Sequence, residues 1–256
     1  MKYERRIIDE KKGIVQITTE DERFYSREIG DKTIYVPSVT WILDKGYVKG
    51  LGFYKWLANN GWDEAEALKN AAADRGSKIH QAIDYLLDGN IVKIDSRFSN
   101  REKGIEEELN AQEYEAVMSF VTWFERTKPT IIDKEFTVFH PEDLYAGTVD
   151  LACRIGNDEW IIDYKTGQNV WPSYELQVSA YKHAIMGEFR LGILQLGYQR
   201  NKDKFKFTEV EDKFDLFLAA RQIWANECAN VHPMQKDFPL TLQLTLNKEV
   251  ASANQL

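Results

Sequence analysis

The sequence predicts an α/β protein, and three observations lead there. The first half is patterned mainly for helices. After Pro129 the texture turns to β-branched and aromatic runs punctuated by Gly147, Gly156-Asn157 and Gly167. Two further helical segments lie among those runs, giving the order β-β-β-α-β-β-α. Of the 256 residues 43% are hydrophobic and 12% aromatic, near globular averages, which excludes wholesale disorder and a fibrous repeat.

Taken in order, residues 1–36 form a β-rich N-terminal extension. Its runs Arg6 to Thr18 and Arg23 to Val36, with a turn at Gly30-Asp31, suggest a small hairpin. In YVPSVTWILDKG, Pro37 and Ser38 begin a short helix that Gly46 ends. Helix is expected from about Gly50 to Leu87 with a break near Gly61, after which Asp63 and Glu64 suit the positive end of a helix dipole. Another helix is expected from Glu102 to Arg126, stopping before Pro129. IIDKEFTVFH, YAGTVDLACRI and EWIIDYKTG read as strands, followed by a helix over Ser173 to Met186. The strands LGILQLGYQ and KFKFTEV and a helix over Phe214 to Ala229 complete the regular part. The domain is drawn at 37–246, with a helical part 37–128, a core 129–230 and a loose tail 247–256.

Charge and motifs exclude several classes. Lys and Arg number 33 against 41 Asp and Glu, a net charge of −8, which argues against broad coating of duplex nucleic acid. The acidity is regional, with 9 basic against 14 acidic residues in 61–130 and 6 against 10 in 131–200. That leaves room for a narrow channel with local positive charge. No apolar run approaches the ~18 residues of a membrane span, and MKYERRIIDE lacks the apolar stretch of a secretory signal. Cys153 and Cys228 read as interior cysteines, too few for a four-thiolate iron–sulfur site. No glycine-rich Walker loop is present, so ATP is not expected.

Asp150 through Lys165 is the most informative stretch. If Gly156-Asn157 makes a two-residue turn, Asp150 lies opposite Asp163; a register shifted by two puts it opposite Lys165 instead. Either way the three side chains share one face. Carboxylates held ~5 Å apart repel each other, so something positive belongs beside them. Lys165 supplies one charge, and a divalent cation would supply two with a preference for oxygen ligands. A structural Asp–Lys salt bridge is the plainer alternative for these three residues alone.

GTVD, twelve intervening residues, DYKTG, then Gln177 and Tyr181 together resemble the active-site core of PD-(D/E)XK nucleases, and more narrowly their RecB-like branch. RGSKIHQAI resembles that branch's helical histidine motif. YVPSVTWIL is similar to single-strand exonucleases of the mitochondrial-genome-maintenance type and their phage relatives. The resemblance covers about Tyr35 to Tyr198. It implies a restriction-endonuclease-like central mixed β-sheet flanked by helices, with the N-terminal helices as a wall or arch over the site.

The same resemblance implies roles. Asp150 and Asp163 would hold one or two Mg²⁺ or Mn²⁺ ions with His80 and the Tyr164 main-chain carbonyl, and Glu135 is a further candidate ligand. Lys165 would position or activate water and offset charge, with a lowered pKa one route to acting as a base. Gln177 and Tyr181, one helical turn apart, would contact DNA. Asp84 is either a partner to the His80 ring or a surface acid, and Asp133 reads as surface. Tyr174 and Lys182 are possible flanking contacts. Lys202, Lys204 and Lys206 would share a strand face, as a phosphate track or as edge protection. Among Trp41, Tyr47, Phe53, Tyr54 and Trp56 most are expected in the core, although some could stack bases.

The expected activity is a metal-dependent, single-strand-preferring DNA exonuclease of replication, recombination or repair, acting beside proteins of those processes. Its expected location is the bacterial or phage-infected cytoplasm, without membrane association. A double-strand end-resecting exonuclease, an endonuclease and a catalytically silent DNA-binding protein are the alternatives.

Overall fold

The computed structural model describes residues 3–10, 13–19, 22–100, 104–228 and 243–244. The expected tail from Asn247 lies outside them. The fold is mixed α/β, a central mixed sheet with helices on both faces and a second sheet at one end.

The N-terminal segment is an antiparallel meander of β1 (Tyr3–Asp9), β2 (Ile14–Thr19), β3 (Arg23–Ile29) and β4 (Lys32–Pro37). The second run folds on itself at the expected Gly30 turn and the first does so at Gly13, because both glycines adopt the left-handed backbone a tight turn needs. Tyr25 and Val36 pack with Ala146 and fasten this sheet to the central one.

The helix α1 (Val39–Gly46) is capped by Ser38, whose hydroxyl accepts the Trp41 N–H at 3.0 Å. Its C-terminal glycine lets α1 approach the last helix closely: a Cβ on Gly46 would sit 2.0 Å from the Ala220 carbonyl oxygen. Next come α2 (Leu51–Asn60) and α3 (Trp62–Leu87), broken as expected at Gly61, with φ 78°. The long helix expected over 102–126 is instead a hairpin followed by a shorter helix. β5 (Arg97–Asn100) pairs with β6 (Ile105–Glu108) around Gly104, and α4 (Ala111–Thr127) starts at an Asn110–Glu113 capping box. The Glu106–Glu108 run therefore lies on a strand, not on a solvated helix face. Charge composition alone does not separate these two settings.

The central sheet has the order β11-β10-β9-β8-β7. Strands β7 (Thr130–His140), β8 (Tyr145–Ile155) and β9 (Asp158–Lys165) form an antiparallel meander. Helix α5 (Pro172–Ile185) then crosses over so that β10 (Arg190–Leu196) runs parallel to β9. Strand β11 (Phe205–Val210) closes the far edge antiparallel, and α6 (Phe214–Glu227) follows. One core layer packs β-sheet residues such as Val149, Ile161 and Ile193 under α1, α5 and α6. The other packs Leu151, Ile162 and Leu194 under α3 and α4.

Of the aromatics singled out, Trp41 is buried and Tyr47 packs against that core. Phe53, Tyr54 and Trp56 do not follow the expectation for the majority. They stand exposed on α2, which buries no residue, with ring centroids 5.6 and 5.9 Å from Phe53 to Tyr54 and Trp56.

Candidate functional site

The β8–β9 hairpin turns at Gly156, φ 63°, and pairs Ile155 with Asp158 up to Leu151 with Ile162. This is the first of the two registers; the ladder stops at Leu151, and the same register carried one step further brings Asp150 against Asp163, whose charges act on each other. The β7–β8 register, Phe136 with Val149 and Lys134 with Leu151, likewise leaves Glu135 opposite Asp150. Glu135, Asp150 and Asp163 thus form one row across three strands, at a place where both ladders are interrupted.

The interruption has a local cause. Glu135 is left-handed at φ 46°, a conformation that costs a non-glycine residue about 1–3 kcal/mol. On either side of the Glu135–Asp150 pair the alternation of faces changes. Val149 and Phe136 belong to the layer under α5, while Leu151 and Ile131 belong to the layer under α4. An unbroken strand would keep Val149 and Leu151 on one face. At this fork the Asp150 side chain stands in for main chain, its Oδ2 accepting the Tyr164 N–H at 2.7 Å.

The fork lets both layers reach the carboxylates. From α3 comes His80, whose Nδ1 is 3.4 Å from Asp150 Oδ1 and 3.7 Å from Glu135 Oε1, with its ring edge-on to Tyr164. From α5 come Gln177 and Tyr181, i and i+4. The Gln177 Nε2 donates to Asp163 Oδ1 at 2.8 Å and to the Tyr181 hydroxyl at 2.9 Å. Lys165 Nζ lies 2.6 Å from Asp163 Oδ2, donates to Gln177 Oε1 at 3.2 Å and sits 4.5 Å above the Tyr174 ring. The glycine of GTVD is needed here, because a Cβ on Gly147 would meet Tyr181 Cε1 at 2.5 Å.

Burial and charge set the protonation states. Burial, with Asp150 alongside, pushes the Asp163 carboxyl up to about 6 against the pull of Lys165. Burial also opposes the charge on Asp150, but His80, Lys165 and the Tyr164 N–H outweigh it and hold the carboxyl below its usual value. For His80 burial is outweighed by Asp150 and Glu135, and the imidazole is pushed up to about 10. Burial likewise disfavours charge on Lys165, yet Asp163 and Asp150 raise its pKa. Without a metal alongside, these carboxylates favour the charged form of Lys165.

His80, Glu135 and Asp150 offer ligand atoms all within 4.8 Å of one another, the group of that kind among the described residues. An imidazole that gives up its extra proton on binding, together with two carboxylates, suits Mg²⁺ or Mn²⁺ better than a thiophilic metal. Asp163 Oδ2 adds to the fit: it is shut off from solvent and, despite its ion pair, accepts no well-aligned hydrogen bond. Asp163 is otherwise turned toward Lys165 and Gln177 rather than His80.

The remaining expectations sort clearly. Asp84 is engaged by Lys134, which also pairs with Asp88 at 2.8 Å, so its partner is a lysine and not the His80 ring. Asp133 is exposed as expected. Lys182 pairs with Asp212 at 3.1 Å, away from the row. Lys202, Lys204 and Lys206 do not share a strand face. Only Lys206 lies on β11, and Lys204 is left-handed in the preceding turn, where it pairs with Glu115.

A cavity of about 670 Å³ opens over the row. Its far wall comes from the N-terminal meander, including Arg6, Arg23 and Tyr25, and Arg75 of α3 adds a third guanidinium. Sequence reading missed these cations, since nothing local ties residues 6 or 23 to a site more than a hundred residues on. Ser38 and Thr40, in the motif resembling the exonucleases, also line it.

The chain matches no protein-family model, and no curated protein is significantly similar to it. Among the described residues no helix is long and apolar enough to cross a membrane.

Proposed function

We propose that this chain is a metal-dependent deoxyribonuclease with a restriction-endonuclease-like core, preferring single-stranded DNA and acting from an end in replication, recombination or repair. The observation that carries the reading is the row Glu135–Asp150–Asp163, met by His80 from one layer and by Lys165 and Gln177 from the other. The resemblance of the GTVD, DYKTG and histidine motifs to the RecB-like branch supports it.

Mg²⁺ or Mn²⁺ would be held by His80, Asp150, Asp163, the Tyr164 carbonyl and Glu135, and would supply charge neutralisation at phosphate oxygens and easier deprotonation of water. The chain's own residues do the rest. Lys165, held charged by two buried carboxylates, presents a cation to the scissile phosphate and to the charge that develops on it. Gln177 fixes the Asp163 carboxylate through Oδ1, and Tyr181 accepts the amide's second hydrogen, so the acid cannot rotate away. The arginines of the cavity wall place positive charge where a strand would enter, within an acidic chain.

With Mg²⁺ or Mn²⁺, purified protein should release nucleotides from linear single-stranded DNA and leave closed circles intact. Asp163→Asn should lower the rate by about 10³-fold, on the order seen for loss of a main catalytic electrostatic group. Equal, trivial release by both proteins would defeat the enzyme reading, and cleavage of circles would replace exonuclease by endonuclease.

A further inference from the structure

A second cavity, of about 450 Å³, lies on the other side of the loop that follows β9. Lys165 to Gly167 border the first cavity and Gln168 to Val170 the second, so the two share that loop as a common wall. The loop is fastened to the ends of β10 and its successor turn. Gln195 Nε2 donates to the Gly167 carbonyl at 2.9 Å, Gln168 Nε2 to the Gly197 carbonyl at 3.0 Å, and Arg200 Nη2 to Asn169 Oδ1 at 3.2 Å.

Sheet register connects the cavities more directly. Lys165 on β9 is in register with Gln195 on β10, and Gln195 with Lys206 on β11. Side chains in register on adjacent strands share a face, so a polar row leads from Lys165 to the sheet edge, about 10 Å away at two strand spacings. At its end Lys206 and Arg200 both lie 5.9 Å from the centre of the Tyr198 ring. Thr208, two residues along β11 from Lys206, has a buried hydroxyl with no partner.

Charge in this groove is unequally compensated. Glu175 is taken by Lys213, on which Glu211 also acts, and Glu209 is taken by Arg190 at 2.6 Å. Among the described residues neither Arg200 nor Lys206 has a carboxylate partner. An aromatic ring edged by two cations without a carboxylate partner, one loop away from the proposed phosphodiester site, combines base stacking with backbone attraction.

We propose that this groove binds the length of single-stranded nucleic acid adjoining the scissile phosphate, Tyr198 stacking a base while Arg200 and Lys206 take phosphates. The inference rests on the nuclease reading above and gives the strand its path away from the chemistry.

The test is anisotropy of a labelled oligothymidylate of about twenty nucleotides, long enough for a groove of this kind, with the full chain in EDTA so that cleavage is stopped. Tyr198→Ala should weaken binding about fivefold or more, and Tyr198→Phe should restore it. Lys206→Ala and Arg200→Ala should each reduce the slope of log affinity against log salt by about 0.7. Thermal melts keep a folding defect separate from a binding one. Tyr198→Ala binding like wild type, with the lysine and arginine slopes unchanged, overturns the groove while leaving the nuclease reading standing. Wild-type protein that neither cleaves nor binds the oligonucleotide overturns both.

Discussion

The two sides of the carboxylate row are built on opposite principles. On the α5 side, Asp163, Lys165, Gln177 and Tyr181 close on one another with contacts of 2.6–3.2 Å. On the α3 side, His80 stands 3.4 and 3.7 Å from its two carboxylates, beyond the range of a good N–H···O bond. On the proposed reading the closed side would orient and hold charge, and the open side would take the metal. The same row of acids thus has two different surroundings, because the sheet splits at Glu135 and Asp150 and admits a different helix from each layer.

The comparison can be broken by substitutions that act on one side only. The largest effect is expected at Lys165: if the nuclease reading holds, Lys165→Ala should cut the rate by about 10²–10³-fold while most of the stabilisation by Mg²⁺ persists, since His80, Glu135 and Asp150 are untouched. Next is the metal itself. If the open side binds a cation, saturating Mg²⁺ or Mn²⁺ at about 100 times its dissociation constant should raise the wild-type melting temperature by roughly 5–10 °C. His80→Ala and Asp150→Asn should abolish most of that shift. A full shift in both variants would mean that the open side is not where the ion sits.

Smaller effects probe the supports. Gly147→Ala should destabilise by about 1–3 kcal/mol in a denaturant melt, because the new methyl group and the Tyr181 ring cannot share their place. Activity should fall further than stability as the Tyr181–Gln177–Asp163 chain shifts. Smallest of all, Glu135→Gly should be neutral or stabilising by up to about 1 kcal/mol through relief of the left-handed strain, yet it should lower the affinity for the metal. A clear loss of stability would show that the Glu135 side chain supports the fold and not the site.

Much of the closed side was legible from spacing. Asp163 and Lys165 share a face by strand period and Gln177 and Tyr181 by helix period, while the glycine–asparagine turn put Asp150 on the same face and left two registers open, of which the hairpin takes the first. Gly61 announced the helix break for an equally local reason. The open side was legible only through the resemblance to the RecB-like motifs, since neither His80 nor Glu135 carries a local signal that separates it from a surface residue. The unusual backbone at Glu135 was not legible at all, because left-handed glutamate inside a strand goes against propensity and is held by its surroundings. The arginines of the cavity wall and the Lys165–Gln195–Lys206 row depend on long-range pairing, which no window of sequence contains. The helix expected from Glu102 failed where a glutamate-rich run met Gly104, and a turn overrode helix propensity.

Helix α2 buries no side chain, and α3 is its main support. A helix this short is marginal in water without packing. Its amides should therefore exchange with solvent sooner than those of α5, which lies across the sheet, and through openings far smaller than global unfolding. The exposed rings of Phe53, Tyr54 and Trp56 would then ride on a helix that opens and closes while the sheet beneath the site stays intact.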